Sequence, residues 1–98
     1  MYGTVARVRI APGKGEEFAR LAGQYDELGV PGFVATYVYR LDANPDEFFM
    51  AVVFEDRDSY FRNAEDPEQD RRYQEMRSLL AADPEWHDGE VVWSTKAR

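Results

Sequence analysis

The sequence predicts an α+β domain of the ferredoxin-like kind, β-α-β-β-α-α-β, with helices on one face of a four-stranded antiparallel sheet. Three observations carry that prediction. Short runs with period-2 apolar spacing alternate with stretches of helical spacing. Two strand-like runs, Phe33 to Leu41 and Glu47 to Phe54, follow each other directly, as a hairpin requires. Both of those runs are apolar on each side: Phe33, Ala35, Tyr37, Tyr39 and Leu41 against Val34, Thr36 and Val38, then Phe48, Met50, Val52 and Phe54 against Phe49, Ala51 and Val53.

The elements follow in order. Thr4, Ala6, Val8 and Ile10 alternate with Val5, Arg7 and Arg9, which reads as strand one, broken by Ala11-Pro12-Gly13-Lys14-Gly15. From Glu16, Phe18, Leu21, Ala22, Tyr25 and Leu28 form one helical stripe, with Glu16 and Glu17 in the dipole-favoured first turn and Gly29 as the stop. Pro31-Gly32 leads into strand two, and Asp42-Ala43-Asn44-Pro45-Asp46 is the turn to strand three. Glu55-Asp56-Arg57-Asp58 closes that strand and opens a short helix through Tyr60 and Phe61 to Ala64. Asp66-Pro67-Glu68-Gln69 starts the next helix, with Asp66 as cap, Pro67 at the first position and Gln69 completing a capping box. That helix shows Tyr73, Met76, Leu79 and Leu80 on one side and ends before Pro84. Trp86 to Ser94 supplies strand four, apolar at Val91, Val92 and Trp93.

The composition narrows the function. A chain of 98 residues makes one domain, 1-98, and a net charge of −7 disfavours nucleic acid and anionic membrane as partners, because phosphate binding rests on Lys and Arg. There is no cysteine, which removes disulfides, thiolate nucleophiles and Cys-ligated metals and agrees with a cytoplasmic location. Arg7 and Arg9 interrupt the N-terminal apolar residues, so no signal peptide is expected there, and no stretch approaches the roughly 20 apolar residues that span a bilayer.

One layer of helices covers one sheet face only. If about eight large residues on the other face each left ~60 to 100 Å² of apolar surface in water, the patch would exceed the ~300 to 600 Å² usual for a monomer. Covering it is worth on the order of 10 kcal/mol before association costs. A symmetric homodimer, sheet against sheet, is the expected solution.

The chain resembles the antibiotic biosynthesis monooxygenase family. The resemblance rests on Ala11-Pro12-Gly13-Lys14-Gly15-Glu16-Glu17-Phe18, on Pro31-Gly32-Phe33 and on Val53-Phe54-Glu55-Asp56-Arg57-Asp58-Ser59-Tyr60, which are turn, cap and core features. It implies a dimeric α+β barrel of two ferredoxin-like subunits. Family members oxidise polycyclic phenols to quinones with dioxygen and no cofactor, open haem, isomerise or bind small molecules. In the haem-degrading branch an Asn on strand one and a Trp and a His on the later helices serve the ligand. Those positions match Ala6, Asn63 and Tyr73 here. All three differ, so haem binding or degradation ranks third, although tyrosine can ligate iron.

Cofactor-free oxygenation needs a dry apolar pocket and polar groups that stabilise a deprotonated aromatic. On this resemblance Asn63 and Tyr73 would stabilise the substrate anion, with Ala6, Val8, Tyr60 and Met76 forming the binding surface for a hydrophobic small molecule. The structural alternative makes Tyr60 and Tyr73 core residues with hydroxyls at the rim and Asn63 a helix-end residue. His87, the third catalytic candidate after Asn63 and Tyr73, is the one side chain of a type that serves as acid or base near neutrality, placed in a turn where Glu85 or Asp88 could orient it, or else simply solvated. It cannot build a metal site alone, and no metal or cofactor is expected. Arg7 and Arg9 either bind an anionic ligand or pair with acidic residues, across the dimer for example. Trp86 and Trp93 are expected as interface or core anchors. A non-catalytic dimeric barrel that binds a ligand or serves as a structural module is the competing reading.

Overall fold

In the computed structural model, which describes residues 1–24 and 28–97, the N-terminal alternating run becomes strand β1 (Tyr2–Arg9). It is followed by α1 (Gly15–Gln24), β2 (Phe33–Arg40), β3 (Glu47–Phe54), α2 (Arg57–Ala64), α3 (Pro67–Arg77) and β4 (Glu85–Glu90). This is the expected β-α-β-β-α-α-β order. The strands form one antiparallel sheet, β2-β3-β1-β4, so β1 and β3 are interior and β2 and β4 are edges. The fold is α+β and ferredoxin-like.

Local sequence chemistry sets the boundaries. Asp56 caps α2 by accepting from the Ser59 backbone N–H at 2.8 Å, and Asp66 caps α3 by accepting from Glu68 at 2.9 Å, with Pro67 in the first turn. The capping box expected at Gln69 does not form. The Gln69 side chain accepts from Arg72 Nε instead, while the Asp66 N–H donates to the Asn63 carbonyl. Gly29 has φ of +63°, in the left-handed region that suits a helix stop, although α1 is described only to Gln24 and Tyr25 of its expected stripe lies outside the described residues.

Two strand expectations are corrected. β4 begins at Glu85 and stops at Glu90, because Glu90 pairs with Tyr2, at the very start of β1, and the ladder then runs out of partner. Val91 still donates to the Met1 carbonyl, but Val92 and Trp93 lie beyond the sheet and are exposed. The second correction is Phe33. A bulge between Phe33 and Ala35 turns it from the face of Ala35, Tyr37 and Tyr39 to the opposite one, where its ring lies 5.9 Å from that of Phe54.

Period-2 alternation then sorts the sheet into two faces. Thr4, Ala6 and Val8 of β1, and Phe48, Met50, Val52 and Phe54 of β3, point towards the helices. The core gathers at one end of that face: Ala6, Val8, Ile10, Phe18, Phe48, Met50, Leu79 and Leu80 are packed together. Ala81 and Ala11 close this end by backbone bonds to Arg9 and Leu79. Among the described residues neither α2 nor α3 contributes a fully buried side chain. Space remains between these helices and the sheet.

Candidate functional site

That space is a cavity of about 680 Å³ between the sheet and all three helices, within the size range of small-molecule sites. Thr4, Thr36, Met50, Val52, Phe54, Trp86 and Asp88 supply the sheet side. Leu21 and Ala22 come from α1, Tyr60, Phe61 and Asn63 from α2, and Arg72, Tyr73 and Met76 from α3. The lining is therefore mainly apolar and aromatic, with a few polar atoms converging on it.

The best-defined polar contact is the Tyr60 hydroxyl, which donates to Asp88 Oδ1 at 2.8 Å. Three aromatic rings hold Tyr60 in place edge-on, those of Tyr2, Phe54 and Phe61 at 5.3, 5.7 and 5.0 Å between centroids. Burial first, and then the Asp88 carboxylate, push the Tyr60 phenol well above its ordinary pKa, with Thr4 acting weakly in the other direction. Thr4 is itself buried, and its hydroxyl, which makes no hydrogen bond of ordinary geometry among the described residues, lies close enough to the Tyr60 phenol oxygen to act on it. Further along, the Tyr73 and Trp86 rings lie 6.2 Å apart. The α3 guanidinium groups on the rim are engaged, Arg71 with Glu68 and Glu75 and Arg72 Nε with Gln69.

Four of the seven residues singled out in the sequence line this cavity: Asn63, Tyr73, Tyr60 and Met76. Three do not. Ala6 and Val8 face the helices as expected, but both are 0% exposed, sealed within the core cluster with no surface to offer a ligand. His87 belongs to β4 rather than a turn, and pairs with Val5 on the face away from the cavity. Of its two expected orienters, Asp88 therefore points to the opposite side, while Glu85 shares the His87 face. Arg7 forms an ion pair with Glu47, and Arg9 approaches the same carboxylate at 3.9 Å, so the acid that engages both lies on this chain.

Thr4, Thr36, Val52 and Phe54 are among the lining residues that the sequence reading did not single out for the site, and so are Trp86 and Asp88. The signal for the last two was the alternation Trp86, His87, Asp88, which places the first and third together once Glu85 is known to begin the strand. Among the described residues, no three His, Asp or Glu side chains are grouped to hold a metal ion, and no helix is long and apolar enough to cross a membrane.

Comparison with known proteins agrees with this architecture. A family model described as antibiotic biosynthesis monooxygenase matches residues 1–76. Among solved structures, SnoaB, a cofactor-independent oxygenase from Streptomyces nogalater solved as a variant with an asparagine replaced by alanine, superposes with a TM-score of 0.77 at 22% identity over 95% of this chain and 94% of that one. A Chloroflexus aurantiacus protein provisionally named as an antibiotic biosynthesis monooxygenase gives 0.79 at 22% identity, covering 97% and 96% of the two chains. A conserved Methanosarcina mazei protein gives 0.77 at 20% identity over 90% and 89%. At these identities the structures speak for the fold. No curated protein gives a significant match.

Proposed function

The chain belongs to the antibiotic biosynthesis monooxygenase family, and on that premise we propose that it is a homodimer that holds a hydrophobic aromatic molecule between sheet and helices and oxidises it with dioxygen, using no cofactor. The observation that supports this reading is the cavity: an apolar chamber of about 680 Å³ into which Asn63, Tyr73 and Tyr60 bring polar side chains. The name of the SnoaB structure points the same way for that protein.

The chemistry asks for charge stabilisation rather than for a dedicated redox group. With an anthrone-like substrate, loss of a proton from the ring methylene leaves an electron-rich anion whose charge gathers on the carbonyl oxygen. Dioxygen then oxidises that carbon: one oxygen atom becomes the new carbonyl, and the other leaves as water with the two methylene hydrogens. The side-chain amide of Asn63 and the hydroxyl of Tyr73 would donate to the developing oxyanion, and the apolar walls strengthen their effect by excluding water.

Anthrone incubated with the purified protein in air should give anthraquinone, followed by its absorbance. Asn63→Ala and Tyr73→Phe should each lower kcat by about 10- to 100-fold, the scale expected for loss of one oxyanion donor. Absence of turnover across a varied panel of phenols would leave ligand binding without catalysis. One observation favours that second reading: His87 lies on the other side of the sheet, so the cavity lacks an imidazole to take up the proton.

The dimer half of the proposal rests on the other sheet face. Val5, Tyr37 and Tyr39 are 48%, 61% and 58% exposed there, beside partly exposed Phe49, Ala51 and Val53. A second copy of the same face would cover them.

A further inference from the structure

Resting on the reading that this cavity oxidises an anthrone-like molecule, we propose that Asp88 is the base that takes the proton from the ring methylene, with Tyr60 as the residue that positions it. The carboxylates lining the cavity among the described residues are Asp70, Glu75 and Asp88. Glu75 is paired with Arg71 at 3.1 Å, and Asp70 stands with it on α3. Asp88 comes instead from the sheet, where it accepts from the Tyr60 hydroxyl at 2.8 Å. That bond fixes the carboxylate and occupies one lone pair of Oδ1, leaving the rest for an incoming C–H group. Tyr60 is in turn held by three rings and keeps its own proton through the neutral range, so it adds no second anion beside Asp88. The oxyanion donors are close by in the fold. Asn63 follows Tyr60 one turn along α2, and Trp86, on the same face of β4 as Asp88, has its ring 6.2 Å from that of Tyr73. Asp88 is also exposed on an edge strand, where water can equilibrate its proton between turnovers.

The proton balance closes on this one group. In the first step the methylene C–H bond breaks, its electron pair stays on the carbon and spreads to the carbonyl oxygen, and the proton goes to Asp88. Dioxygen oxidises the carbanion with formation of a C–O bond, and Asp88 returns its proton to the peroxide, giving a hydroperoxide. Asp88 then takes the second methylene proton as the O–O bond breaks. The C–H pair becomes the new C=O bond, and the departing hydroxide recovers the proton from Asp88 and leaves as water. The carboxylate ends as it began, and the carbon has lost the electrons that dioxygen gained. A carboxylate is a weaker base than the carbanion it forms, so the first step leans on the stabilisation of the carbonyl oxygen by Asn63 and Tyr73.

The test separates proton removal from oxidation. Under nitrogen in heavy water, the full chain should speed exchange of the anthrone methylene protons for deuterium over the rate in buffer, followed by NMR. Asp88→Asn keeps an oxygen to accept from Tyr60 and changes an exposed position, so circular dichroism should show the fold intact. Its exchange rate and its aerobic kcat should both fall by about 100-fold or more, the scale of a lost general base, while anthrone binding by calorimetry stays the same. Asp88→Glu should recover part of the loss, and Tyr60→Phe should slow exchange by about 10-fold with binding kept, since the carboxylate remains but is no longer held. Exchange and turnover in Asp88→Asn equal to the wild type, or a loss found in Asp70→Asn instead, would overturn the assignment of the base and leave the oxygenase reading standing. Exchange that depends on Asp88, with no quinone formed in air, would support the base and overturn the oxidation. A wild type that neither exchanges nor oxidises anthrone would overturn both.

Discussion

Tyr60 shows how far one side chain can be moved by its surroundings. Its ring is wedged among Tyr2, Phe54 and Phe61, and its hydroxyl is committed to Asp88. Burial and a neighbouring carboxylate both disfavour the phenolate, so the folded protein holds this proton more tightly than the unfolded chain does. The sign follows from linkage. The stabilisation is complete below the ordinary phenol pKa of about 10 and is lost as the pH rises beyond it, where the unfolded chain sheds its proton first. A spectrophotometric titration should therefore show one of the six tyrosines ionising after the others, or only with unfolding, and Tyr60→Phe should flatten the fall of stability in alkali. Normal ionisation of all six tyrosines would contradict the packing described. Arg7 carries the opposite lesson: an arginine on the face away from the cavity is engaged by Glu47, a partner 40 residues away in the chain that β1–β3 pairing brings across from Arg9.

At the scale of elements, the site depends on how strands hand over to helices. Gly32 precedes β2 with φ of +80°, and a Cβ there would lie 2.5 Å from the Cβ and Oγ of Ser59 at the start of α2. Its carbonyl accepts from Glu55 N–H at 2.7 Å, so the turn before β2 is clamped to the junction between β3 and α2. This clamp aims α2, and with it Tyr60 and Asn63, across the cavity. Gly32→Ala should cost about 2 kcal/mol or more, through left-handed backbone strain and the clash with Ser59, measured as a lower urea midpoint. A midpoint equal to that of the wild type would show that the junction yields freely. β4 illustrates the reverse dependence. The sequence predicts this strand over Trp86 to Ser94, yet the ladder spans Glu85 to Glu90, because a strand's extent is set by the neighbour it pairs with.

On the scale of the whole molecule, one sheet serves two purposes. The helix side holds a core gathered at one end and a cavity beside it, while the other side presents Val5, Tyr37 and Tyr39 to solvent. Sedimentation at micromolar concentration should give the mass of two chains. Tyr37→Glu combined with Tyr39→Glu should weaken association by about 100-fold or more, since four like charges would be forced into one two-fold interface. A wild-type protein that sediments as one folded chain would refute the dimer.

Sequence by itself determined the order of elements, the bounds of β3, the cap at Asp66 and the family, because period and capping chemistry are local and act within a few residues. It also placed Asn63, Tyr60, Tyr73 and Met76 on the helices that line the cavity. Only the tertiary structure decided which side of β4 meets the helices, that a bulge turns Phe33 over, and that Ala6 and Val8 are sealed in the core. The reason is the two-residue repeat of a strand: shifting the β1–β4 register by one position would exchange the faces of His87 and Asp88, and that register is set by pairing with the neighbouring strand rather than by the segment itself.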